Sequence, residues 1–171
     1  MKYIFYSFLS LIILASCKTN KDYLSRSDND NTLFDAIKTL KKHNTDTTAL
    51  QALPVLYNLA QQRNLRKINS YSSSRELSRW DKMINAYSTL QEMYNAIVEN
   101  DAASRVVTPV NYQQTLYDLK HEAAADYYTA ATVFLNKPGR ADAKQAYNYF
   151  KKADKLVPGY EDAKLKMDEA Y

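Results

Sequence analysis

In the stretch SSSRELSRWDKMINAYSTLQEMYNAIVEN, the residues Leu77, Trp80, Ile84, Tyr87, Leu90, Tyr94 and Ile97 recur at intervals of three and four. That interval winds onto one side of an α-helix, whereas a strand would scatter the same residues over both of its faces. A serine run ahead of the stripe supplies an N-cap. A helix of this kind is stable only when its apolar stripe is covered, so the rest of the chain has to provide partners. Its composition suits that task. Glycine occurs only at Gly139 and Gly159 and proline only four times, which leaves little turn chemistry for a β protein. The expected fold class is all-α in one domain, because 171 residues support one substantial core and hardly two.

The partners can be placed. Asn31 or Asp30 caps a first helix reaching about His43, with Leu33, Ile37 and Leu40 on its stripe. A second runs from Thr47 to about Asn69 and carries Leu50, Leu53, Tyr57 and Ala60, with Pro54 either kinking it or marking a later start. DAASRVVTPV reads as a connection, ending in Thr108-Pro109 as the N-cap and first position of a fourth helix that stops near Asn136. Its stripe is Leu116, Leu119, Ala123, Tyr127, Ala130 and Phe134. A fifth helix from about Arg140 to Val157 presents Ala143, Ala146, Phe150 and Ala153. A sixth follows PGY, with Ala163, Met167 and Tyr171 inward and Lys164, Lys166, Asp168 and Glu169 outward, as the cap of the array. About six helices joined by short turns pair as three antiparallel hairpins.

The N-terminus is of a different kind. Lys2, a mostly apolar run from Tyr3 to Leu14, and the small residues Ala15 and Ser16 have the grammar of an export signal. The run falls short of the roughly 20 apolar residues a membrane-crossing helix takes. Cys17 is the only cysteine, so an internal disulfide is impossible. Leu14-Ala15-Ser16-Cys17 resembles the bacterial lipobox. The resemblance implies that residues 1–16 are a lipoprotein signal peptide and that Cys17 takes a diacylglycerol on its sulfur and becomes the new N-terminus. Acyl chains, at about 0.8 kcal/mol per buried methylene, would then hold the protein to a membrane as an anchor. Lys18 is not the aspartate associated with inner-membrane retention, which favours the outer membrane, on its periplasmic or its surface-facing side. Residues 17–30 are polar and mixed in charge, the composition of a flexible tether, and leave 31–171 as the helical domain.

Within that domain Ala146, Phe150, Ala153 and Pro158 resemble the second helix and terminal proline of a tetratricopeptide repeat. Trp80, Met83 and Tyr87 resemble the first-helix half, W-x2-L-G-x2-Y, with Ile84 in the place of the small residue. The two halves are too far apart for one repeat of about 34 residues, so any array is degenerate. Leader, tether and array together are similar to small tetratricopeptide-like outer-membrane lipoproteins of the Bacteroidetes group. That resemblance implies a right-handed array and an adaptor role without catalysis.

Chemistry-bearing motifs are few. HEAAAD begins at His121, but Ala125 stands where a zinc-binding helix needs its second histidine, and His43 is the only other one. No glycine-rich phosphate loop and no nucleophile elbow occur in the sequence, so neither metal, cofactor nor catalysis is expected. The formal charge of +4 is spread along the chain, which argues against a nucleic-acid partner. The fifteen tyrosines fall mostly on core stripes. Opposite the Trp80 stripe, Asp81, Asn85 and Ser88 line the polar face of the same helix; a repeat groove would hold an extended peptide there, and an ordinary hydrated face has the same pattern. The expected function is a noncatalytic, membrane-anchored envelope lipoprotein that binds another protein or peptide as an adaptor or assembly scaffold. The alternatives are a ligand-binding protein or enzyme of cell-wall sugar or peptidoglycan, and a structural spacer.

Overall fold

The computed structural model describes residues 22–170; the leader, Cys17 and Tyr171 lie outside that range. Among the described residues the chain forms seven α-helices and no strand. They are α1 (Asn31–Lys42), α2 (Thr47–Ser72), α3 (Ser78–Val98), α4 (Asp101–Ser104), α5 (Gln113–Leu135), α6 (Arg140–Leu156) and α7 (Ala163–Ala170), preceded by a 3-10 turn at Leu24–Arg26. The all-α class holds, and six of the seven are the helices their stripes announced.

Side-chain caps set the starts of α2 and α4, whereas the caps expected for α1 from Asp30 and for α3 from the serine run make no such hydrogen bond. Asp46, in extended backbone, caps α2 by accepting the Ala49 N–H at 2.9 Å. Pro54 lies on the exposed side of α2, and the helix begins ahead of it at Thr47, so the proline marks no later start. The short α4 falls in the segment expected to be a connection. Its cap is Asn100, whose Oδ1 accepts the N–H groups of Ala102 and Ala103 at 3.1 and 3.0 Å while Nδ2 donates to the Ile37 carbonyl at 3.2 Å. One buried side chain thus starts a helix and ties it to α1. The fourth expected helix does not begin at Pro109; α5 begins at Gln113. The intervening strap is held by tertiary bonds instead, with the Val110 N–H on the Tyr57 hydroxyl at 2.9 Å and the Tyr112 N–H on Gln91 Oε1 at 2.7 Å.

Each long helix packs on the next: α1 on α2, α2 on α3, α3 on α5, α5 on α6 and α6 on α7. The arrangement is a continuous meander in which the pairings of α2 with α3 and α5 with α6 cross the hairpin boundaries expected from the sequence. The main core comes from α1, α2 and α3, where Leu33, Leu40, Leu53, Leu56, Leu90, Met93 and Ile97 are fully buried. A smaller cluster sets Phe150 among Ala131, Ala146, Ala163 and Ala170. The turn into α7 uses Gly159 at φ +76°, with its N–H on Asp154 Oδ1 at 2.9 Å. Lys164, Asp168 and Glu169 face water as expected of a cap, whereas Lys166 is half-buried against Glu169 and the apolar Leu165 is exposed.

The packed body starts earlier than residue 31. Tyr23 is 1 % exposed and donates from its hydroxyl to Thr39 Oγ1 at 2.8 Å. Arg63 of α2 grips the same segment through the Ser27 carbonyl at 2.6 Å and Asp30 Oδ1, which accepts from Nη2 at 2.6 Å and Nε at 3.0 Å. Residues 23–30 are therefore a strap laid against α1 and α2, and the tether expected over 17–30 is shortened by that much. A single aromatic among polar neighbours is enough, because its burial outweighs the average composition around it.

Candidate functional site

The polar face of α3 is where a groove was expected, and the structure divides its residues between two tasks. Toward α5, the Trp80 Nε1–H and Arg79 Nη2 both donate to Asp126 Oδ2 at 2.9 Å, and the guanidinium carbon stacks 4.4 Å from the Trp80 ring centroid. Next along the helix, Asp81 Oδ1 pairs with Lys152 Nζ of α6 at 2.8 Å. Its Oδ2 accepts from the Tyr127 hydroxyl at 3.2 Å, and that hydroxyl also lies 3.1 Å from the Leu77 carbonyl. Asp81 is thus committed to docking α5 and α6 on α3.

This network sets the titration of Tyr127. Burial, then the charge of Asp81 and the hydrogen bond to it, then Tyr149, push the phenol well above its ordinary value of 10.0. Burial likewise raises Tyr57 and Tyr87. The hydrogen bond to Asp162 is the main cause that takes Tyr128 up to about 12. An unfolded tyrosine ionises near pH 10 while Tyr127 keeps its proton, so this contribution is complete below pH 10 and is lost as pH rises through the folded value. Denaturant unfolding from pH 8 to 11 should show stability falling above pH 10, and falling less steeply in Tyr127→Phe. Parallel slopes for the two proteins would contradict the network.

Asn85 has the other task. With Asn64, Lys67, Tyr71, Lys82 and Thr89 it lines a shallow cleft of about 260 Å³ between α2 and α3. Asn64, 2 % exposed, braces the cleft by donating its Nδ2 hydrogens to Asp30 Oδ2 at 2.8 Å and to the Ala60 carbonyl at 3.0 Å. Lys67 stands on the α2 wall and Lys82 on the α3 wall. Neither has a carboxylate partner among the described residues, whose ion pairs all lie elsewhere. The Lys82 ammonium lies 5.6 Å from the Tyr71 ring centroid, a cation–π arrangement that leaves its hydrogens free to donate. Ser88 is half-buried and outside the lining of the cleft. The expected trio of Asp81, Asn85 and Ser88 therefore contributes one member to the cleft. Lys67 and Lys82 were missed. Their signal was present: neither has an acidic residue three or four positions away to pair with on its own helix.

The residues of the repeat signature pack, apart from the exposed Pro158. Trp80, Met83, Ala146, Phe150 and Ala153 are buried, Tyr87 is half-buried with its ring centroid 5.7 Å from that of Tyr112, and Pro158 follows the end of α6. Such packing is common to helical repeats and to ordinary bundles. His121 lies against the Tyr117 ring at 4.3 Å between centroids. Among the described residues no three His, Cys, Asp or Glu side chains gather as a metal site, and no helix is long and apolar enough to cross a membrane. Comparison of the chain with protein-family models, with curated proteins and with solved structures returns no match.

Proposed function

We propose that this chain is a lipid-anchored protein of the cell envelope that binds another protein or peptide, as a noncatalytic adaptor or assembly scaffold, at the outer membrane. The observation that carries the binding half is the open cleft across α2 and α3, where the side chains of Lys67, Lys82 and Asn85 have no hydrogen-bonding partner within the described body. Its volume of about 260 Å³ is below the roughly 300–1,000 Å³ typical of small-molecule pockets. Such a cleft accommodates one or two side chains of a docked chain more readily than an enclosed sugar ring.

The anchoring half rests on Leu14-Ala15-Ser16-Cys17. Only Lys18 to Asp22 separate Cys17 from the buried Tyr23, a reach of roughly 20 Å even when fully extended. A body on so short a lead stays beside the membrane surface, where an adaptor meets membrane-bound partners at high effective concentration. The test is capture in place: a photo-reactive residue substituted at Asn85 of the anchored chain, compared with one at Lys144 on the exposed side of α6.

A further inference from the structure

The cleft also carries a statement about what enters it. Its polar lining is rich in donors and contains no carboxylate: two ammonium groups on facing helices, the Asn85 carboxamide and the Tyr71 phenol. Asp30, which braces Asn64 of the lining from behind, is spent on Arg63 and Asn64. The same end of the α2–α3 pair adds the exposed Arg66 and Arg75, against which only Glu76 is set as an exposed acid in that stretch. Lys67 and Lys82 are exposed and unpaired, while the neighbouring Arg63 and Arg79 are half-buried and paired with Asp30 and Asp126. The two lysines are thus a local surplus of positive charge held at a concave place, and concavity is what separates a receiving site from an ordinary solvated lysine.

We propose that the α2–α3 cleft binds an acidic peptide segment, with one carboxylate side chain seated between Lys67 and Lys82 and Asn85 donating to the peptide beside it. This rests on the peptide-binding function proposed above and specifies its chemistry. A carboxylate fits the donors present, since it only accepts hydrogen bonds and offers two oxygens to two ammonium groups approaching from opposite walls. The size of the cleft limits the seat to a side chain or two, with the remainder of the segment running over the open rim. Charge steering from Arg66 and Arg75 would speed encounter and make it sensitive to salt.

The experiment uses the full chain in neutral detergent and two fluorescent probes of equal length, one a glutamate-rich peptide and the other its lysine-rich counterpart, read by anisotropy. The acidic probe should bind and the basic one should not. Lys67→Glu with Lys82→Glu should weaken acidic-probe binding by about tenfold or more, the scale expected for truncated charge pairs. Lys144→Glu with Lys155→Glu, an equal charge change at exposed positions of α6, should change it by less than about threefold. Equal losses in the two double variants would reduce the effect to net charge and overturn the proposal. So would an acidic probe no better than the basic one, or lysine-dependent binding to phosphatidylglycerol vesicles in place of peptide. Partner capture from position 85 that ignores the Lys67→Glu, Lys82→Glu change would leave the adaptor function standing and remove only the acidic ligand.

Discussion

Phe150→Ala should cost this protein about 3–5 kcal/mol, a large part of the 5–15 kcal/mol that a domain of this size possesses. Phe150 has no exposed surface, and its ring meets that of Tyr128 edge-on at 5.3 Å between centroids. The other buried residues of its cluster are Ala131, Ala146, Ala163 and Ala170, which have no side chain long enough to fill the space the ring would leave. The half-buried Met167 and Leu135 are the flexible aliphatic side chains at its edge, and neither matches the ring in shape. The cost should therefore sit at the high end for such a deletion, and α7, which has few other buried residues, should loosen first. Urea unfolding with an unchanged slope is the measurement. A loss below about 1 kcal/mol would mean that α5, α6 and α7 do not close around Phe150.

Tyr23→Ala should be nearly as damaging, at about 3 kcal/mol, even though it lies outside every helix. The side chain is buried in the main core, and its hydroxyl holds Thr39 of α1. Tyr23→Phe keeps the ring and removes that bond alone, for an expected loss of about 1 kcal/mol. If residues 23–30 were a free tether, both changes would be silent. A graded response, Ala well below Phe and Phe slightly below wild type, would show that the folded body begins at Tyr23.

What the sequence disclosed and what it withheld follow from the range of the forces involved. The stripe Trp80, Ile84, Leu90 and Ile97 is buried on α3 because helical periodicity is a local property. The first-helix set Leu33, Ile37 and Leu40 is buried for the same reason. On α5 one stripe was visible where two exist. Leu119, Ala123 and Tyr127 are buried as expected, but so are Ala124 and Ala131, because α5 lies between α3 and α6 and small residues on its second face allow close approach. Alanine carries too little hydrophobic contrast to announce that face. The start of α5 was misplaced because Tyr57 and Gln91, distant in sequence, hold the strap before it. The polar site was the least legible part. Asp81 and Asn85 share a helix face in the sequence, yet Lys152 draws the first toward α6 while the second opens onto α2. No spacing rule on one helix predicts which neighbour reaches a side chain first.

Photo-crosslinking in intact cells tests most directly the proposal that a membrane-anchored body presents the Asn85 cleft to a partner. The full chain would carry the photo-reactive residue at position 85 or, in a separate variant, at position 144, with and without Cys17→Ala. The expected result is a discrete higher-mass adduct from position 85 in the membrane fraction and none from position 144. Cys17→Ala should take up no palmitate analogue and should lose the adduct, because the unanchored body no longer sits beside its partner. The same adducts from both positions, or equal palmitate labelling with and without Cys17, would contradict it.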